Sequence, residues 1–175
     1  KLSKAKIKWI SEINKIDNKP IIFIANEFFD ALAIKQFIKK RNLWFEKFIN
    51  FKDQKKPFFF EKKVNMKKIE KKIHFKISQN QNFIEYSKTG LTYLNKINRM
   101  IERNNGGLLL IDYGYTDKKM KNTLQAISNH KFANILGNLG NVDITHNINF
   151  NLFKNFVKKF EGLKIKQSPL LQNLF

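Results

Sequence analysis

Two uninterrupted apolar runs constrain this chain more than any other feature. Ile21-Ile22-Phe23-Ile24-Ala25 and Leu108-Leu109-Leu110-Ile111 show no polar alternation, the pattern of strands buried on both faces. Between them, Ser87 to Asn104 sets Leu91, Leu94, Ile97 and Ile101 on one helical face. Asn104-Asn105-Gly106-Gly107 then stops the helix with residues that tolerate left-handed geometry. Parallel strands need a long crossover, so strand, long amphipathic helix, strand predicts an α/β fold with a parallel sheet. Ligands of such sheets bind at the carboxyl ends of the strands. The segments to inspect are therefore Asn26 to Asp30 and Asp112 to Tyr115.

The remaining segments fit around that frame. Ser3 to Asn14 predicts a short helix with Trp9, Ile10 and Ile13 on one face, and Asp17 to Pro20 a turn. Asn26 to Ala33 reads as a polar-aromatic loop or short helix. Ile34 to Lys40 and Leu43 to Phe51 read as two strands joined at Arg41-Asn42, with a third from Pro57 to Val64. Met66 to Asn82 is polar and without clear period, and Tyr115 to Thr145 reads as irregular. Asn149 or Asn151 opens a helix carrying Phe153, Phe156, Val157 and Phe160, ended by Gly162. Leu163 to Lys166 predicts a short strand, and Pro169 to Phe175 the start of a helix.

The charge is large, with 34 Lys and Arg against 14 Asp and Glu in 175 residues, a formal net of +20. Dense positive charge attracts phosphate, so nucleic acid is one reading. Against it, only Arg41, Arg99 and Arg103 are arginine, whereas base readers and phosphate clamps favour that side chain. Lysine is spread over nearly every polar segment, and the accompanying Asn, Ile and Phe are what AT-rich codons supply. The charge therefore reads as a solvated surface from an AT-rich genome, a bacterial one being favoured. The apolar runs are too short to span a bilayer, and there is no signal-peptide pattern. With no cysteine there is no disulfide framework and no thiolate nucleophile. His74, His130 and His146 are scattered, so no metal site is expected.

Chemistry-bearing residues concentrate at the two strand ends. Ala25-Asn26-Glu27-Phe28-Phe29-Asp30 puts an amide and two carboxylates directly after a strand, with Phe28 and Phe29 read as core. Carboxylates placed there hold a cation, orient a nucleophile or accept a proton; alternatively they cap the next turn. In Ile111-Asp112-Tyr113-Gly114-Tyr115, Gly114 permits a sharp turn. Asp112 either contacts a ligand or ties the loop through backbone N–H groups. His146 is a structural or a ligand-facing residue. There is no GxSxG, P-loop or GxGxxG motif.

Taken together, these segments resemble the MidA family of S-adenosylmethionine-dependent methyltransferases. Ala25-Asn26-Glu27-Phe28-Phe29-Asp30-Ala31-Leu32, followed by Ile34-Lys35-Gln36-Phe37, is similar to its ANEFFDALP-I-x-QF signature. Glu85-Tyr86-Ser87, Gly106 to Tyr115, Thr123 to Ala126 with His130-Lys131-Phe132, Gly140 to Phe150 and Gln167 continue the resemblance in register. Ala33 replaces the usual proline, Tyr115 the usual histidine, and Ser168-Pro169 a glycine; Asn147 also departs.

The resemblance implies a Rossmann-like methyltransferase sheet, here incomplete and holding only the later strands. It implies that 1–175 is a partial methyltransferase domain of a longer enzyme, with 34–64 and 115–145 as insertions serving as lid and substrate platform. The cofactor implied is S-adenosyl-L-methionine. The partner implied is an arginine-bearing protein subunit of respiratory complex I. Glu27 and Asp30 are the expected catalytic pair and Asn26 the cofactor contact. Asp112, Tyr113 and His146 are expected to line the substrate pocket. The compartment would be the cytoplasm of a bacterium or the mitochondrial matrix of a eukaryote, and a homodimer stays open. Two rivals are a methyltransferase of this fold acting on RNA or a small molecule, and a non-catalytic basic binding module. A half-sheet exposes an unpaired edge, so poor solubility is expected of the isolated chain.

Overall fold

The computed structural model describes residues 7–51, 56–137 and 140–166. It is an α/β structure built from several small sheets, parallel and antiparallel, around one core. Strand β1 (Ile21–Asn26) runs parallel to β6 (Gly106–Ile111), in register from Ile21 against Gly106 to Asn26 against Ile111. Helix α2 (Lys88–Asn104) crosses between them, which is what the sequence pattern requires. Its N-cap is Ser87, whose hydroxyl accepts from the Gly90 N–H at 2.9 Å. Leu91, Leu94, Ile97 and Ile101 are its buried face, as their spacing predicts.

A four-stranded antiparallel sheet packs beside this unit. Strands β2 (Lys35–Lys40), β3 (Leu43–Asn50), β4 (Phe58–Val64) and β5 (Phe83–Tyr86) lie in the order β4-β3-β2-β5. Arg41 and Asn42, at φ 45° and 64°, form the two-residue turn between β2 and β3. The rings of Phe37 and Tyr86 stack at 6.1 Å in the interior. Burial and the nearby Glu46 charge push the Tyr86 phenol up to about 12.

One buried polar network joins this sheet to the rest of the chain. The Glu85 carboxylate accepts from Gln36 Nε2 at 2.6 Å, from the Thr123 N–H at 3.1 Å and from the Thr123 hydroxyl. Thr123 Oγ1 in turn accepts from the Asn147 N–H at 2.9 Å. Charged acceptors in the interior make strong bonds only when satisfied on every side.

Helix α1 (Met66–Ile73) fills part of the segment that read as polar and without period. Its signal is narrow, with Met66, Ile69 and Ile73 forming one apolar stripe among lysines behind an Asn65 cap. The stretch after Ile111 is not irregular throughout. It holds β7 (Gly114–Tyr115), β8 (Gln125–Ser128), β9 (Lys131–Ala133) and β10 (Asp143–Thr145). The last three pair as β10-β8-β9, while β11 (Ile148–Asn149) pairs in parallel with β7. Helix α3 (Phe150–Val157) is capped by Asn149, and its fully buried Phe156 meets Phe75 edge-on at 5.3 Å.

Four expectations need correction. The two apolar strands are covered on one face only: Ile22 and Ile24 are 75% and 70% exposed, with Leu109 and Ile111 also open. Helix α2 packs on one side, and no described element covers the other. Residues 7–14 form no α-helix, only a 3-10 turn at Ile13–Lys15, because Trp9 is 92% exposed and a short helix without packing is marginal. Helix α3 stops at Val157, before Gly162, and residues 163–166 form no strand. Beyond β1, residues 27–33 take the loop form of the loop-or-helix reading, as bends and a turn. Gln167, Ser168 and the helix expected from Pro169 lie outside the described residues.

Gly106, at φ +135°, begins β6 where any Cβ would overlap the Ile21 carbonyl oxygen. Neither backbone can yield without breaking the strand pair. Gly106→Ala is expected to cost about 2 kcal/mol or more in urea denaturation. A loss below about 0.5 kcal/mol would show that this close approach does not constrain the junction.

Candidate active site at the paired strand ends

The parallel register brings the ends of β1 and β6 side by side. The Glu27 N–H donates to the Ile111 carbonyl at 2.9 Å, extending the ladder by one bond. Glu27 itself sits at φ 45°, a conformation that costs a non-glycine residue and that recurs at functional sites. Its side chain is exposed, as is that of Asn26. The chain then turns so that Phe29 and Asp30 enter the interior, Phe29 at 0% exposure and Asp30 at 8%.

Asp112 ties the two ends together. Its Oδ2 accepts from the Phe29 N–H at 2.9 Å and from the Asp30 N–H at 3.3 Å, while Oδ1 accepts from the Tyr113 N–H at 2.9 Å. Burial, and then the charge of Asp30, hold this carboxyl above its ordinary 3.8; the three backbone donors pull the other way. Asp112 thus places Asp30 while repelling it. Among the described residues, neither carboxylate has a lysine or arginine partner.

A third segment closes the site. The His146 N–H donates to the Asp30 carbonyl at 3.1 Å, and the Ile148 N–H to the Tyr113 carbonyl at 2.8 Å. His146 is 6% exposed, whereas Tyr113 is largely exposed. The expected site residues therefore fall into two zones. Asp30 and His146 are brought together inside beside the half-buried Asp112, and Asn26, Glu27 and Tyr113 are exposed at the same strand ends.

Residue-by-residue chemistry overlooks Glu85 and Thr123. They sit within two of the motif stretches, but only the network through Asn147 shows how they fix the backbone next to His146. A cleft of about 1200 Å³ lies elsewhere, between α1, the loop after it and α3. Lys67, Lys71, Lys76, Lys118 and Lys119 line it, and none of the six strand-end residues does. The Glu70 carboxylate in that lining is engaged by the Ile77 and Ser78 N–H groups and the Ser78 hydroxyl, and the surrounding lysine ammonium groups suit a surface anion. Among the described residues no group of three or more His, Asp or Glu stands close enough for a metal ion, and no helix is long and apolar enough to cross a membrane.

Residues 1–168 match a protein family described as "Putative S-adenosyl-L-methionine-dependent methyltransferase". The chain belongs to that family. S-adenosyl-L-methionine is accordingly the family's cofactor. The chain is 30% identical over 154 residues to the Protein arginine methyltransferase NDUFAF7 homolog, mitochondrial, of Caenorhabditis elegans, covering 87% of this chain and 36% of that protein. It is 27% identical to the Protein arginine methyltransferase NDUFAF7, mitochondrial, of Xenopus laevis over 95% of this chain and 37% of the other, so it spans well under half the length of these relatives. A COG1565 superfamily member from Burkholderia thailandensis, bound to S-adenosyl-homocysteine, shares the fold. Its TM-score is 0.66 at 14% identity, over 88% of this chain and 41% of that one.

Proposed function

We propose that the intact protein transfers a methyl group from S-adenosyl-L-methionine to an arginine side chain of a protein substrate. The observation that carries this reading is a buried carboxylate, Asp30, beside a half-buried one, Asp112, with no lysine or arginine paired to either among the described residues. In a chain of net charge +20, such a pair calls for a cationic guest. A guanidinium is planar, stays charged and pairs naturally with carboxylates. The relatives named as mitochondrial arginine methyltransferases support the same substrate class.

The residues present fit one side of a cofactor site. Parallel strand ends form the crevice edge where such cofactors lie, and exposed Asn26 and Glu27 stand on it. The cofactor supplies an electrophilic methyl group on a sulfonium. This chain's residues hold and orient the acceptor: Glu27 at the rim, Asp30 within, and Tyr113 as an aromatic wall. In this reading β1 and β6 are later strands of a larger Rossmann-like sheet, 1–175 is part of one methyltransferase domain, and 34–64 and 115–145 are insertions. The protein substrate is a respiratory complex I subunit. The compartment is the matrix in a eukaryote and the cytoplasm in a bacterium.

The test is methyl transfer by the intact protein to an arginine-bearing protein, comparing wild type with Glu27→Gln. The substitution keeps the shape and removes the charge, so the rate should fall at least ~100-fold with cofactor affinity nearly unchanged. Normal turnover in Glu27→Gln removes that residue from the mechanism.

A further inference from the structure

We infer that Asp30 Oδ1 and His146 Nε2 form a two-acceptor slot for the guanidinium of the substrate arginine, with Asp30 rather than Glu27 as its inner anchor. The inference deepens the arginine reading above and rests on it. Both atoms are buried, and among the described residues neither has a hydrogen-bond partner. Their residues are neighbours, because the His146 N–H donates to the Asp30 carbonyl at 3.1 Å. Buried polar atoms are almost always paired, so two bare ones on adjoining residues mark a place for something else.

What belongs there follows from their chemistry. A carboxylate oxygen only accepts. In the tautomer that donates from His146 Nδ1 to the Asn147 carbonyl, at 3.4 Å, Nε2 carries a bare lone pair. The slot therefore presents two acceptors and no donor. Its guest must donate in at least two directions and need not accept. A guanidinium has five N–H groups in a rigid plane and no acceptor. It also stacks on aromatic rings, and Phe28 and Tyr113, both exposed, belong to the same two strand-end loops. Lysine donates too, but as a compact, strongly hydrated charge that suits a dry slot less well.

The surrounding framework keeps His146 from moving to satisfy itself. Asn147, the next residue, is held by Thr123, and Thr123 by the buried Glu85. The Asp30 backbone is held by the bond from its N–H to Asp112. The slot is thus preorganised, with its ordering cost met during folding.

The experiment uses the intact protein and three short peptides: acetylated, amidated, glycine-flanked, and carrying arginine, citrulline or lysine. Calorimetry gives the dissociation constants, and imidazole ¹⁵N resonances report on His146. The arginine peptide should bind at least ~10-fold tighter than the other two and should shift the His146 Nε2 resonance. His146→Leu should weaken the arginine peptide at least ~10-fold. His146→Gln, which restores an acceptor, should recover most of that loss. Unchanged arginine affinity in His146→Leu would mean that the slot holds only a structural water, overturning the inference while leaving arginine methylation standing. Should His146→Leu not fold, an arginine peptide that binds without moving the wild-type resonance overturns it equally. If the wild type neither binds nor methylates any arginine-bearing partner, the arginine reading and the slot fall together.

Discussion

Asp112→Ala is expected to lower stability by about 3 kcal/mol and methyl transfer by at least ~100-fold. The Asp112 carboxylate accepts three backbone N–H bonds, two of them from Phe29 and Asp30 in the interior. Alanine leaves those two donors dry, at about 1–3 kcal/mol each. The activity loss has a separate cause. The Asp30 backbone is held by its own N–H bond to Asp112, and a displacement of about 1 Å at a reacting group costs about a hundredfold.

Asp112→Asn separates the two effects. It keeps an acceptor near the strand ends but removes the charge that faces Asp30. Because burial and Asp30 raise the Asp112 carboxyl above 3.8, the folded state binds its proton more tightly than the unfolded chain does. This group's contribution to stability therefore falls as pH climbs from about 3.8 through the raised value, then levels off. Urea denaturation over that range should show the slope in wild type and not in Asp112→Asn. Equal slopes would reject the burial of this charge.

Phe29→Ala is expected to cost about 3–5 kcal/mol. The ring is fully buried and meets Phe28 edge-on at 5.1 Å and Phe153 at 5.2 Å. It therefore joins the loop after β1 to α3, and its removal opens a cavity between them. Phe29→Leu should lose less, because most of the volume remains. Near-ultraviolet circular dichroism and denaturation midpoints would report both. A loss under about 1 kcal/mol in the alanine variant would mean that the loop packs without this ring.

Phe28 shows where residue type stops being informative. Both rings of the pair read as core, yet Phe28 is exposed while Phe29 is fully buried. Successive residues of a turning loop face different ways, and no sequence period applies there. The same limit hid the strands β8, β9 and β10. Their three or four residues are too few for an alternation to register, and pairing between remote segments creates them.

Local physics was legible wherever a segment carried its own instruction. The amphipathic stripe and Ser87 cap determined α2, the Arg41-Asn42 turn determined the β2–β3 hairpin, and the apolar runs determined β1 and β6. The family motifs likewise placed carboxylates directly after strands. How those carboxylates are held was decided by the tertiary structure alone. Asp112 was open between ligand contact and loop tie, and the geometry engages both its oxygens with backbone N–H groups. His146 stands beside Asp30 only because β11 pairs with β7 next to the β6 end. The bare faces of Ile22 and Ile24 were equally invisible, since an apolar run records what a strand can bury, and only packing decides which face is covered.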